Sequence, residues 1–307
     1  MADNFKSGFC TVIGRPNVGK STLINALTGE KVAITSPKPQ TTRKQQLAIL
    51  TGDGYQIVFV DTPGIHSPRT KLGEFMVRTA GDAMKATDVI MYLYDATEKD
   101  VSEANRQLAE KIAEIKGTPK ILVVTKVDAV EKERLLPIIA VLNSIVNFDA
   151  VVPVSALRED GLDILKDELL KFIPEGPMYY PEDITTASTV REMAEEIIRE
   201  KVLLFTNDEV PHGVGVEIIS YKEPKYRNQT TSIEATVFCE KDTHKGILIG
   251  REGAMLKKIG SAARRDIEEL TGTKVNLKLW VKVKDDWRNS GSMLKELGYK
   301  DDNAPVR

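Results

Sequence analysis

Two cysteines in 307 residues, Cys10 and Cys239, are too few for a disulfide framework or a four-ligand zinc site. Each is expected to be a buried thiol. No apolar run approaches the ~20 residues that a membrane-spanning helix needs; runs such as 89–93 and 121–124 fall far short. The first eight residues lack a charged stretch leading into an apolar one, so no secretory signal is read and a cytoplasmic location is expected. Net charge is almost absent too, at −2, yet it is unevenly spread: residues 241–290 hold 12 Lys and Arg against 7 Asp and Glu. That window is basic and the rest acidic, which leaves room for a local nucleic-acid surface. With 41% hydrophobic and 29% charged residues, the chain is too apolar for disorder and long enough for two domains.

What is present falls into two patterns. Up to about residue 173, short β-branched runs at 8–13, 44–50, 55–60, 89–94, 120–124 and 150–154 alternate with helical spacing at 20–28, 74–86, 102–115, 132–146 and 163–172. This order predicts a doubly wound α/β domain with a mainly parallel sheet, in which the pair 44–50 and 55–60 is antiparallel. Three prolines and a glycine within 173–183 then predict a linker. Beyond it a helix (190–205), two strands (214–221, 231–239), a short helix ending at 249, a helix (254–270) and a strand (275–283) predict a smaller α+β domain. The expected boundaries are 1–173, 174–186 and 187–307.

Gly14-Arg15-Pro16-Asn17-Val18-Gly19-Lys20-Ser21 follows the first strand and opens the first helix, the context required of a P-loop. Its backbone N–H groups and the helix N-terminus would cradle a polyphosphate, with Thr22 in the first turn, Lys20 on the β and γ phosphates and Ser21 on Mg2+. Asp61-Thr62-Pro63-Gly64 ends the third strand, where Asp61 can hold magnesium through water and the Gly64 N–H can meet the γ-phosphate. Thr125-Lys126-Val127-Asp128 ends the fifth; a carboxylate there accepts guanine N1–H and the exocyclic amine, which adenine lacks. Ser155 and Ala156, after the sixth strand, are candidates to offer N–H to guanine O6. All four segments lie at carboxyl ends of strands, where such sheets bind ligands. Together they resemble the translation-factor class of GTPases.

Between 30 and 44 runs a polar loop whose segment 36–43 holds two adjacent threonines, and a loop threonine on magnesium senses the γ-phosphate. Thr42 is the first choice and Thr41 the fallback. Where many GTPases carry a water-orienting glutamine stands Ile65, so slow intrinsic turnover is expected; His66 beside it is a weaker candidate for a general base. At this point the resemblance narrows to the TrmE–Era group. It implies that Asn17 helps hold K+ beside the phosphates, completing a catalytic set of Lys20, Thr42, Gly64 and Asn17. One departure is that Thr125 stands where the group has asparagine; its hydroxyl cannot make the same bond to the guanine edge, so affinity should fall while base choice survives through Asp128.

In the second domain, Ile249-Gly250-Arg251-Glu252-Gly253 lies between two helices. Two glycines at this spacing occur by chance about once or twice in such a chain, so context decides: six basic residues against one acidic between 245 and 265, and the α-β-β-α-α-β order. That order resembles the type II KH fold, a single-stranded RNA binder in which a Gly-x-x-Gly turn lets the backbone approach phosphate. Candidate contacts are Ile249, Gly250, Arg251, Glu252, Gly253, Lys257, Lys258 and Arg264. Trp280 is expected in the core.

A P-loop domain followed by a KH domain resembles the Era family along nearly the whole chain. The resemblance implies a magnesium-dependent GTPase with GTP and GDP as ligands, binding the 3′ end of 16S ribosomal RNA and acting on the 30S subunit. It also implies peripheral contact with the inner membrane surface; a monomer is expected. Two other classes stay open: an RNA chaperone with GTP as a structural ligand, and a signalling GTPase at the membrane surface.

Overall fold

A computed structural model describes residues 5–299 except 37, 39, 66, 67 and 224–229, so His66 lies outside the described residues. Six strands, β1 (Lys6–Gly14), β2 (Gln46–Gly52), β3 (Tyr55–Asp61), β4 (Val89–Asp95), β5 (Lys120–Thr125) and β6 (Ala150–Pro153), form one sheet in the order β2-β3-β1-β4-β5-β6. Only β2 runs antiparallel to its neighbour. Every residue of β4 is buried, as a strand covered on both faces requires. One face packs Leu23 and Ile24 of α1 (Lys20–Thr28) with Leu165 and Leu169 of α5 (Leu162–Phe172). The other packs α2 (Lys71–Lys85), α3 (Glu103–Glu114) and α4 (Leu135–Asn143) through Met84, Leu108, Ile112 and Leu142. Cys10 and Cys239 are both buried and free.

A second sheet, β7 (Gly215–Lys222), β8 (Thr231–Cys239) and β9 (Val275–Val283), pairs β7 with β8 antiparallel and β8 with β9 parallel. Helices α6 (Val190–Phe205), α7 (Asp242–Ile249) and α8 (Ala254–Thr271) cover one face around Ile198, Leu248, Ile259, Ala263 and Ile267. α6 opens on a capping box between Thr189 and Glu192. Trp280 does not join this core: it is 44% exposed. β9 alternates exposed and half-buried residues, and position 280 falls in the exposed register with Lys278 and Lys282.

The proline-rich stretch is no free tether. Ser7 N–H donates to Pro174 O at 2.9 Å, Gln56 Nε2 to Tyr180 O at 2.9 Å, and Ile49 N–H to Thr185 O at 2.8 Å, lacing residues 174–186 along the first sheet. Proline's lack of an N–H ruled out helix and central strand, but left carbonyls and neighbouring amides free to pair at an edge. The two units also share a core. Leu72, Phe75 and Met76 of α2 pack with Phe238, Trp287, Met293, Leu294, Leu297 and Tyr299, the last four in or beside a terminal helix, α9 (Gly291–Glu296). At about 1.5–3 kcal/mol per fully buried large apolar side chain, this seam fixes α2 against the second unit. Among the described residues, no helix is long and apolar enough to cross a membrane.

Candidate nucleotide and RNA sites

At the carboxyl ends of β1, β3 and β5 lies a cavity of 720 Å3, lined by Asn17 and Gly19 of the loop after β1, by Lys20, Ser21 and Thr22 of the first turn of α1 and by Thr42, Gly64 and Lys126. Lys20 is 7% exposed and rests its Nζ on the carbonyls of Gly14 (3.4 Å) and Arg15 (3.2 Å). Burial holds its ammonium below the usual range, with Asp61 pulling the other way. The β-strand carbonyl at Gly14 and the tight turn to Lys20 bring this cation to the cavity floor. Gly64 has to be glycine: a Cβ there would stand 2.8 Å from Pro16 N, so only a bare backbone can lie against the loop. Val18 faces the sheet core rather than the cavity.

Three oxygens meet beside Lys20. Ser21 Oγ donates to Asp61 Oδ2 at 2.9 Å, Thr42 Oγ1 donates to the same oxygen at 3.1 Å, and the two hydroxyls are 3.1 Å apart. Asp61 is 1% exposed, and its Oδ1 is buried without a hydrogen-bond partner. Burial pushes its carboxyl above the usual range against Lys20 and the two hydroxyls. A buried carboxylate oxygen left over among hydroxyls suits a hard divalent cation that takes oxygen ligands and completes its shell with phosphate and water. Thr41 is placed otherwise: its hydroxyl donates to Lys38 O at 2.7 Å within the loop. Thr62 spends its hydroxyl on Val12 O at 2.7 Å and Pro63 is buried, leaving only main chain from these two to meet a ligand. Ile65 packs against the core under β4.

Around the end of β5, Thr125 Oγ1 lies 2.7 Å from Val18 O and 3.1 Å from Tyr94 O. Its one hydroxyl proton is thus committed to main chain, and the residue ties the P-loop to the strand. Lys126 reaches Asn17 O at 2.9 Å and Asp95 Oδ2 at 2.5 Å. Asp128 accepts from Ser155 Oγ at 2.6 Å, which, with a smaller contribution from Arg158, holds its carboxyl below the usual range. Ser155 differs from expectation. Its N–H donates to Asp160 O at 3.0 Å, while its hydroxyl holds Asp128.

Several residues around the cavity carried no local signal. Lys31, Glu200, Lys201 and Leu204 also line it, the last three from α6 of the second unit. Arg43 and Arg199 are 1% and 2% exposed and cross between the units on either side of Thr42. Only an unusual density of charge in α6, Arg199-Glu200-Lys201, hints at a partner other than solvent.

In the second unit, a groove of 360 Å3 runs between α8 and β9, lined by Gly253, Lys257, Gly260, Arg264, Leu277 and Leu279. Gly250 has φ +72°, and a Cβ there would meet Met255 N at 2.8 Å, so the turn before α8 is closed to side chains. Arg251 and Glu252 are exposed on it, and Ile249 is half-buried. Lys258 is exposed as well, with its Nζ 4.4 Å from the Phe205 ring centroid on α6. Ile259 belongs to the core.

A family model described as a 50S ribosome-binding GTPase matches residues 9–126, and one described as a KH domain matches 209–288. GTPase Era of Ruminiclostridium cellulolyticum is 52% identical over 298 residues, covering 97% of this chain and 98% of the relative. GTPase Era of Clostridium botulinum (strain Langeland) is 48% identical over 296 residues, covering 96% and 99%. Among solved structures, Era in complex with MgGDPNP and nucleotides 1506–1542 of 16S ribosomal RNA superposes with a TM-score of 0.92 at 36% identity, covering 96% of this chain and 99% of that one. An Aquifex aeolicus Era variant bound to GDP·AlF4− gives 0.91 at the same identity and coverage.

Proposed function

The chain belongs to the Era family of GTPases, and from that premise we propose that it is a GTP-hydrolysing switch whose KH groove takes the 3′ end of 16S ribosomal RNA during maturation of the 30S subunit. The observation that carries the reading is the convergence of Ser21, Thr42 and Asp61 at the mouth of the P-loop, in a chain that also holds a basic Gly-x-x-Gly groove. Residues 1–173 are the GTP-binding unit, 174–186 the connection and 187–307 the RNA-binding unit.

The roles follow from the chemistry. Lys20 exchanges the Gly14 and Arg15 carbonyls for β and γ phosphate oxygens, and the loop amides from Asn17 to Thr22 hold the rest of the polyphosphate. Ser21, Thr42 and Asp61 hold magnesium, which when bound neutralises charge building on the phosphates. Gly64 brings its amide to the γ-phosphate because nothing on its Cα blocks the approach. Asp128, oriented by Ser155, accepts the two guanine donors, and the Ala156 amide meets O6. Water attacks the γ-phosphorus, the bond to the β–γ bridging oxygen breaks, and the water's proton leaves with phosphate. Ile65 cannot align that water, so intrinsic turnover is slow. Asn17 lines the same cavity and is the residue proposed to hold K+; equal hydrolysis rates in potassium and sodium would remove that role.

In the KH unit, Arg251, Lys257 and Arg264 meet phosphates along the groove, and Leu277 and Leu279 offer apolar wall to unstacked bases. The protein acts in the cytoplasm, and any membrane contact is peripheral. The test is binding of a 16S 3′-end oligonucleotide against a scrambled one and against anionic vesicles at several salt concentrations. Preference for the ribosomal sequence supports the reading; vesicles bound as tightly, with the same salt dependence, favour the membrane-surface alternative.

A further inference from the structure

Thr42 is gripped from the RNA-binding unit on both sides. Before it, the buried guanidinium of Arg199 donates to the carbonyls of Gln40, at 3.4 Å, and Thr41, while Glu196 one turn back on α6 pairs with the same guanidinium. After it, Arg43 runs the opposite way, donating to Val214 O at 2.5 Å, His212 O at 3.1 Å and Pro211 O at 3.3 Å, with Trp287 5.9 Å from its guanidinium carbon. Farther back in the loop, Glu200 accepts the Thr35 amide at 3.0 Å and pairs with Lys31 at 2.9 Å.

Burying an arginine–glutamate pair is a poor source of stability compared with apolar packing of the same volume. What this pair supplies is geometry: a rigid planar fork holds two successive carbonyls and the Glu196 carboxylate at once along fixed N–H directions, where a lysine ammonium is a rotatable point charge. The held peptide is the one that leads into Thr42, whose hydroxyl must stand about 3 Å from Asp61 and Ser21 to complete an oxygen cluster. A loop that its ligand must order binds that ligand more weakly by the fraction of time it is ordered; a loop held in advance escapes that loss.

We propose that Arg199, seated by Glu196, is a positioning residue for the nucleotide site: it holds the Gln40–Thr41 backbone so that Thr42 faces Asp61, and the RNA-binding unit thereby sets the preference for magnesium-bound triphosphate over diphosphate. This rests on the magnesium and γ-phosphate role proposed for Thr42. Departure of Thr42 after hydrolysis must then work against the Arg199 and Arg43 contacts, and by linkage whatever stabilises those contacts favours the triphosphate state.

The test measures equilibrium affinities of the full chain for magnesium-bound non-hydrolysable GTP analogue and for GDP, in wild type, Arg199→Met, Arg199→Lys, Thr42→Ala and the Arg199→Met/Thr42→Ala pair. Arg199→Met should weaken the analogue about tenfold and GDP less than about twofold, with no further loss when Thr42 is already alanine. Arg199→Lys keeps the charge facing Glu196 and should show the same selectivity in smaller measure; it carries the test where the methionine variant fails to fold. Equal weakening of analogue and GDP, or a loss in the Thr42→Ala background as large as in wild type, overturns the proposal by assigning Arg199 to general stability. If Thr42→Ala leaves analogue affinity unchanged, the reading of Thr42 itself fails and the inference falls with it.

Discussion

In the nucleotide site the polar groups are buried and engaged with one another: Ser21, Thr42 and Asp61 share hydrogen bonds at 8% exposure or less, and Lys20 sits on the loop's own carbonyls. In the KH unit the cations are exposed, Arg251 on the glycine turn and Lys257 and Arg264 along the groove, and the fixed part is the turn that leads into α8. Discrimination therefore has different sources. A buried carboxylate or hydroxyl left unpaired by the wrong ligand imposes a large penalty, whereas an exposed cation on a phosphate contributes affinity that salt screens and that carries little sequence information. The first site should respond sharply to single-atom changes; the second should respond by degrees.

The contrast can be broken most visibly at the base-recognition end. Asp128→Asn should weaken GTP about 100-fold and erode selection against ATP, measured by competition binding. The Ser155 hydrogen bond favours the ionised form of Asp128, whose carboxyl lies below its usual range. Its proton therefore returns only at lower pH than for a free carboxylate, and GTP-over-ATP preference should stay flat from pH 8 to about pH 5. Preference that falls away above pH 5 would show that the hydrogen bond does not set the charge.

A smaller effect is expected in the groove. Lys257→Ala with Arg264→Ala should cost about tenfold in RNA affinity at physiological salt and flatten the log-affinity against log-salt slope by about 1.4, two phosphate contacts at ~0.7 each. GTP hydrolysis without RNA should not change. A sequence-selective loss instead would make these two residues base readers and blur the contrast. Smallest is Thr125→Asn, expected to tighten GTP by less than about tenfold, because the existing hydroxyl already performs the tether to Val18 and only the guanine-edge bond is gained. With 7-deaza-GTP, which lacks the acceptor nitrogen at that edge, wild type should bind as it binds GTP, and only the asparagine variant should discriminate.

The P-loop, the Asp61–Gly64 segment and Asp128 were readable from sequence because each is a local backbone device whose chemistry sits within a few residues. The strand alternation likewise placed β4 and the antiparallel β2–β3 pair, since burial on two faces and a four-residue turn leave a local imprint. Relations between distant segments left none. Trp280 and Trp287 look alike in sequence, yet the first is 44% exposed on β9 and the second is wholly buried against α2 and α9. Nothing near Arg43 announces that its guanidinium meets carbonyls at 211, 212 and 214. Ser155 reads as an amide donor until Asp160 is found across the turn taking its N–H. The proline-rich stretch reads as a tether because composition says what a segment cannot form, and is silent on which edge its amides and carbonyls will find.

Control of the groove by the terminal phosphate is tested most directly by titrating one 16S 3′-end oligonucleotide into the full chain loaded with magnesium and either a non-hydrolysable GTP analogue or GDP. Binding about tenfold tighter with the triphosphate analogue is predicted. The same affinity in both states would contradict it.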